Sequence, residues 1–277
     1  MKRRAEILIR LSTVTALPSA AAELVRQAND PDSSLTDVVR TVSRDPGLTA
    51  TILKLANSAS LGATRKIGSV QDAAMRLGTS RLASLAIAAA LEPMSRLPIR
   101  GYGMPPGALL DFALATAIGV EEIARVLHTP LPPNAFTAAM LCDIGKLALG
   151  SFVEVDSDAI LHYAFEEGLT FDAAEREVLG IDHAEVGALL LDRWQIPECI
   201  SHVVRWHHRP DECPVTSETL QLVHLAAQLS LLSGLGCAQD GLNYRPSSRV
   251  SEIKHMKQRE VETVVYQTSQ RMAGLKN

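Results

Sequence analysis

Asn134-Ala135-Phe136-Thr137-Ala138-Ala139-Met140-Leu141-Cys142-Asp143-Ile144-Gly145-Lys146-Leu147-Ala148-Leu149 reads as one helix, apolar almost throughout. Its seam is Phe136, Met140, Asp143 and Leu147, at spacings of 4, 3 and 4, which is one face of a helix. An aspartate therefore stands where a core residue is expected. A buried carboxylate needs a metal, a cation or several donors. Lys146, three residues on, can supply the cation, giving a structural Asp143–Lys146 pair at the core edge. A metal or phosphate site is the functional alternative.

The rest of the chain has the same helical character. Of 277 residues, 47% are hydrophobic but only 4% aromatic, so the apolar mass is Leu, Ala, Val and Ile, which suits packed helices better than sheet. No alternating strand pattern persists and no internal repeat is found. Leu17-Pro18-Ser19 reads as a helix entry. Ser34-Leu35-Thr36-Asp37 resembles a capping box with Asp in place of Glu. Asp45-Pro46-Gly47 opens a helix with the stripe Leu48, Ile52, Leu55 and Ala59, Ser69 opens another, and Thr79 caps one through Leu91. Residues 92–107, punctuated by Pro93, Pro98, Gly101, Gly103, Pro105, Pro106 and Gly107, read as a linker. Further helices are expected over 109–127, 134–149, 157–167, 171–179, 183–194, 198–207 and 217–232. A loop should span 234–248 and a charged helix 252–272, with Ile253, Val261, Val264 and Val265 inward.

Composition excludes several classes. A net charge of −4 does not by itself recruit nucleic acid or acidic lipid. Cys142, Cys199, Cys213 and Cys237 form no C-x-x-C pair and suit a reducing cytosol. No apolar run approaches the ~18–20 residues that span a bilayer; the longest, 82–91, contains Ser84. Lys2-Arg3-Arg4 could begin a signal peptide, but Glu6 and Arg10 interrupt the stretch that would follow, so a short amphipathic helix with Ile7 and Leu11 on one side is expected. No G-x-S-x-G, Walker A or G-x-G-x-x-G pattern occurs.

Histidines form the other feature. His183 follows Asp182, a candidate N-cap, with Glu185 three residues on from the cap. His207 and His208 lie at a helix end before Pro210. Adjacent helical residues diverge by ~100°, so both meet one ligand only where the helix frays. With Asp143 these imidazoles could assemble a metal site in space, although their spacing is no metal signature.

Leu141-Cys142-Asp143-Ile144-Gly145-Lys146 resembles the L-H-D-I-G-K signature of HD-type metal-dependent phosphohydrolases, with Cys in place of His. Asp45-Pro46-Gly47-Leu48, Leu55-Ala56-Asn57-Ser58-Ala59, the run 67–73 and Leu77-Gly78, then His183-Ala184-Glu185-Val186-Gly187 and Trp206-His207-His208, resemble the HDOD domain, an HD-related output domain of bacterial signalling proteins. The resemblance implies an all-α fold, an N-terminal helical bundle packed on a degenerate HD-type lobe: 1–95, then 96–233, then 234–277 as loop and C-terminal helix. It also implies a vestigial site. Phe112 falls where the first metal histidine would stand, Cys142 replaces the signature histidine, Asp143 and Lys146 remain, His183 and His207 or His208 match the later histidines, and Gln228 falls at the final aspartate. Losing several ligands should abolish a binuclear centre.

The expected function is a non-catalytic, cytoplasmic signal-transduction regulatory module with a signalling protein partner in trans, binding neither nucleic acid nor membrane. The alternatives are a residual metal phosphohydrolase using Asp143, His183 and His207 or His208, and a nucleotide-sensing cleft around Lys146. No cofactor is expected; a divalent transition metal held by Asp143, His183, His207 and His208 is the alternative.

Overall fold

In the computed structural model, residues 2–12, 19–30, 32–57, 67–235, 239–241 and 243–274 are described. Among them every regular element is helical, and the one β-type contact is an isolated bridge between Ile99 and Met104. The all-α expectation holds. The Leu17-Pro18 entry, Ala59 and Cys237 lie outside the described residues, as does the side chain of Ile253.

Side-chain caps set the starts of several N-terminal helices. Ser34 and Asp37 form a reciprocal capping box at α3 (Leu35–Ser43). Asp45 accepts from the Leu48 amide at α4 (Pro46–Ala56), with Pro46 in the first turn. Ser69 does the same for Asp72 at α5 (Val70–Leu77). These three helices and α2 (Ser19–Asn29) enclose a small core of Leu24, Val38, Val42, Ile52, Ala73 and Leu82. The last of these sits on α6 (Thr79–Ser95), which serves both cores: Leu85 faces the smaller, Ile87 and Leu91 the larger.

The larger core is built on α7 (Ala108–Val126), packed against α14 (Glu218–Leu232) and α16 (Gln258–Ala273). The first helix, α1 (Lys2–Leu11), belongs to this larger core through Ile7 and Leu11 rather than to the bundle that follows it. Arg4 clamps it to Glu185 at 2.6 Å, and Arg193 donates to the Leu11 carbonyl at 2.8 Å.

Three expected elements differ. Helix α6 runs on to Ser95 through Pro93, whose missing amide donor removes one helical bond but so near the end that only the last turn is affected. The stretch after it is no free linker. Tyr102 there is fully buried, and a Cβ on Gly101 would fall 2.3 Å from the Gly150 carbonyl oxygen, so backbone packs on backbone. The expected single helix over 134–149 is two, α8 (Ala135–Leu141) and α9 (Lys146–Val155), joined by a tight turn at 142–145. Bonds from Ile144 to Leu141 and from Lys146 to Asp143 span three residues rather than four. The C-terminal helix is likewise broken, into α15 (Ser248–Lys254) and α16, at His255 with φ 41°.

The stretch 135–155 is long and apolar enough, by length and composition, to cross a membrane, and 83% of its most apolar window is buried inside the protein. It exceeds the 82–91 run because a mean over its length tolerates Asp143 and Lys146 in its middle, and within the fold these two pair with each other.

Candidate metal centre

The turn at 142–145 aims Asp143 into the protein. Gly145 lets it do so: a Cβ there would lie 1.9 Å from the His183 carbonyl oxygen and 2.6 Å from the Gly187 amide. The turn therefore rests directly on the first turn of α12 (His183–Arg193), which Asp182 caps by accepting from the Glu185 amide at 2.7 Å. Helix α13 (Glu198–Trp206) ends in a turn over 207–208, His207 still at φ −60° and ψ −26°, and both consecutive histidines offer a ring nitrogen to one cluster.

Asp143, His183, His207 and His208 each offer a ligand atom, and these four atoms lie within 4.8 Å of one another. Asp143 Oδ1 is 3.4 Å from His183 Nε2 and 3.3 Å from His207 Nε2. Those separations suit the edge of a tetrahedron whose metal–ligand bonds are ~2.1 Å. Three of the four side chains are buried and His208 is half-buried.

The outer hydrogen bonds orient the rings. His207 Nδ1 meets the Val204 carbonyl at 2.7 Å, and His183 Nδ1 meets Glu175 Oε2 at 2.8 Å. Glu175, on α11 (Phe171–Leu179), also accepts from the His183 amide at 2.8 Å, and its other oxygen accepts from the Tyr102 hydroxyl at 2.6 Å. With Nδ1 donating, His207 Nε2 carries a lone pair that points inward, and His183 Nε2 presents one when its ring is neutral, the arrangement typical of a ligating histidine with a carboxylate or carbonyl behind it. Asp143 Oδ1 and His207 Nε2 have no hydrogen-bond partner. Buried polar atoms are rarely left so, and a cation between them resolves it. The donor set fits one divalent transition ion.

Lys146 occupies the other side of Asp143. Its ammonium bonds Asp143 Oδ2 at 2.5 Å and also pairs with Asp240. It lies 5.6 Å from the Tyr102 ring centre and 5.5 Å from that of Phe112, positions favourable to a cation over an aromatic face.

Charges follow the geometry. Burial opposes ionisation of Asp143, yet Lys146 and the histidines hold its carboxyl well below the usual range. Burial likewise opposes the Lys146 ammonium, but the two carboxylates raise its pKa. Burial would lower the His183 pKa, and Glu175 with Asp143 lifts it to about 10. Burial, reinforced by His207 and His183, holds His208 well below its ordinary value. One imidazolium and one neutral ring thus meet at 2.8 Å, Nε2 to Nε2.

Residues 14–210 match the sequence pattern of the HDOD domain. The chain belongs to the HDOD domain family. A crystal structure of an HDOD domain protein of unknown function from Geobacter sulfurreducens superposes with a TM-score of 0.72 at 24% identity, covering 96% of this chain and 87% of that one. A candidate phosphohydrolase from Shewanella amazonensis SB2B has a TM-score of 0.63 at 26% identity, covering 96% and 98%. An uncharacterized protein of Treponema pallidum (strain Nichols) is 25% identical over 219 residues, 77% of this chain, and the chain spans 41% of that relative's length.

Within this HDOD domain the structure brings Asp143, Lys146, His183, His207 and His208 together, with Phe112 against Lys146. Cys142 is fully buried beside Asp143 but is not among the four converging ligands, and burial raises its thiol pKa well above normal. Gln228 is buried on α14, one turn beyond His224. It is His224 that reaches the site, bonding the His207 carbonyl at 2.7 Å. Sequence reading missed Tyr102, Glu175, Asp240 and Tyr244. Only Glu175 carried a signal: it stands between Phe171 and Leu179 at spacings of 4, a carboxylate on an apolar helix face.

Proposed function

We propose that this HDOD domain is a cytoplasmic signal-transduction regulatory module that acts on a protein partner in trans and turns over no phosphoester, while its Asp143–histidine cluster holds a single divalent transition ion. The observation that carries the reading is the buried Asp143–Lys146–Asp240 triad beneath the Phe112 ring. Where the resemblance places two metal histidines, this chain keeps the Phe112 ring, lying against the Lys146 ammonium, and the buried Cys142 thiol. Hydrolysis by paired metals needs one ion to activate water and another to carry the leaving oxygen. Lys146, already held by two carboxylates, has no free role with a phosphate.

The metal, when bound, would supply Lewis acidity and a fixed charge. Asp143, His183, His207 and His208 would hold it, and Glu175 and the Val204 carbonyl would fix the ring orientations of His183 and His207. Binding requires His183 to give up its proton, since a ligating imidazole is neutral. Three side chains of the cluster are 2% exposed or less, which suits a structural ion better than one meeting substrate.

The reading is tested by assaying purified full-length protein against cyclic dinucleotides and nucleotides with added Mn²⁺ or Fe²⁺. No turnover is expected. Metal-dependent hydrolysis that Asp143→Ala abolishes would overturn it and establish the second reading, a residual phosphohydrolase, which the three imidazoles and one carboxylate favour. Stoichiometric capture of a nucleotide that stabilises the native chain, with no protein partner retained, would instead favour a nucleotide sensor.

A further inference from the structure

Residues 239–241 and 243–247, between α14 and α15, touch the cluster and its supports at several points. Asp240 pairs with Lys146 and is itself buried. The Tyr244 ring stacks on the His208 ring, centres 4.5 Å apart and planes 15° from parallel, and its hydroxyl accepts from the Asp172 amide at 3.1 Å. The Ser247 amide donates to His224 Nε2 at 2.9 Å, and His224 bonds the His207 carbonyl. Asn243 adopts a left-handed conformation, φ 63°, and donates to the carbonyls of Ala164 and Leu169 at 2.6 and 3.0 Å.

His208 is the one cluster residue that is not fully buried, and it is the one Tyr244 covers. His208 is therefore the cluster residue through which solvent meets these ligands, and Tyr244 lies on it. The charge arrangement allows the segment to leave. If Asp240 withdraws it regains water, and Lys146 keeps Asp143 as its partner, so no buried charge is stranded. A strap anchored only by a charge whose removal would orphan Lys146 could not open so cheaply.

We propose that these residues form a gating strap: bound through Asp240 on Lys146 and Tyr244 on His208, it closes the cluster, and its release uncovers His208 and admits a divalent cation. The closure rests on the contacts alone; only the cation rests on the metal reading above.

The test uses the metal-free full chain and reads ethoxyformylation of each histidine by mass spectrometry over time, in wild type, Asp240→Asn and Tyr244→Ala. Exposed His128 and His255 are the internal references. In the wild type His208 should react about tenfold more slowly than these, since protection follows the cost of local opening. Each variant should accelerate His208 severalfold and leave His128 and His255 unchanged. Reaction of wild-type His208 at the reference rate, or no acceleration in either variant, overturns the strap. Circular dichroism identifies a variant that has unfolded, and the other variant then decides. A second arm follows Zn²⁺ uptake by stopped flow. Faster uptake in the variants at unchanged stoichiometry supports gating, and equal uptake rates overturn it. Absence of Zn²⁺ binding in every protein rejects the metal reading, while the ethoxyformylation arm still decides the strap.

Discussion

Asp143 Oδ1 and His207 Nε2 face each other at 3.3 Å, both buried and neither with a hydrogen-bond partner. His207 Nδ1 is engaged with the Val204 carbonyl, so Nε2 presents its lone pair to a carboxylate oxygen. Two acceptors held at that distance in a low-dielectric site repel unless a cation lies between them.

Metal analysis of protein reconstituted with Zn²⁺ or Mn²⁺ should find one ion per chain and no second. Asp143→Ala and His207→Ala should each lower affinity by about 10–100-fold or more, as loss of a ligand or its orienting partner does. The ion should raise the melting temperature of the wild type in a concentration-dependent way, because it binds only the folded cluster. Two ions per chain would contradict the single-ion reading of the Asp143–histidine cluster.

Lys146→Met should be strongly destabilising. It leaves Asp143 and Asp240 buried without their cation, and breaking a buried pair from one side costs about 3–5 kcal/mol. Adding Asp240→Asn should recover part of the loss, since one of the two stranded charges is then gone. Urea unfolding of the three proteins gives the comparison through their midpoints.

In chelator, stability should fall as pH rises through the titration of His183. The folded imidazole titrates near about 10, and the unfolded one near ~6.5. A folded pKa above the unfolded one means the stabilisation is complete below ~6.5 and lost progressively up to the folded value. Urea midpoints measured across that window should decline, and His183→Asn should flatten the decline.

Gly145→Ala should cost at least about 1–3 kcal/mol, the range for forcing extra atoms into a packed interior. The new methyl would collide with backbone, the His183 carbonyl and the Gly187 amide, rather than with a movable side chain. Because the same contact seats Asp143 against α12, metal affinity should fall with stability. A variant of wild-type stability and affinity would show that the turn and α12 can separate without loss.

Much of this was readable along the chain. The caps at Ser34, Asp45, Ser69 and Asp182 are local devices, a side chain satisfying the amide three residues on, so residue order specifies them. The misplaced charge at Asp143 was visible because helical periodicity predicts which positions are interior. The partner Lys146 was visible for the same reason, being one turn away.

What the residue order could not state is what meets across the fold. Asp240 is 94 residues from Lys146 by number, on a loop with no periodicity to betray a buried charge. Tyr244 over His208, Tyr102 on Glu175 and Arg4 on Glu185 are likewise long-range pairs. The break of 134–149 into two helices also came from outside that segment, since it depends on α12 lying close enough to exclude any side chain at Gly145. By itself the sequence determined an all-helical chain, the capped starts of several helices and one aspartate out of place. Only the tertiary structure decided that three histidines join that aspartate while Lys146 and Asp240 close its other side, because short-range hydrogen bonding is written in neighbouring residues and the convergence of distant charges is set by how the helices pack.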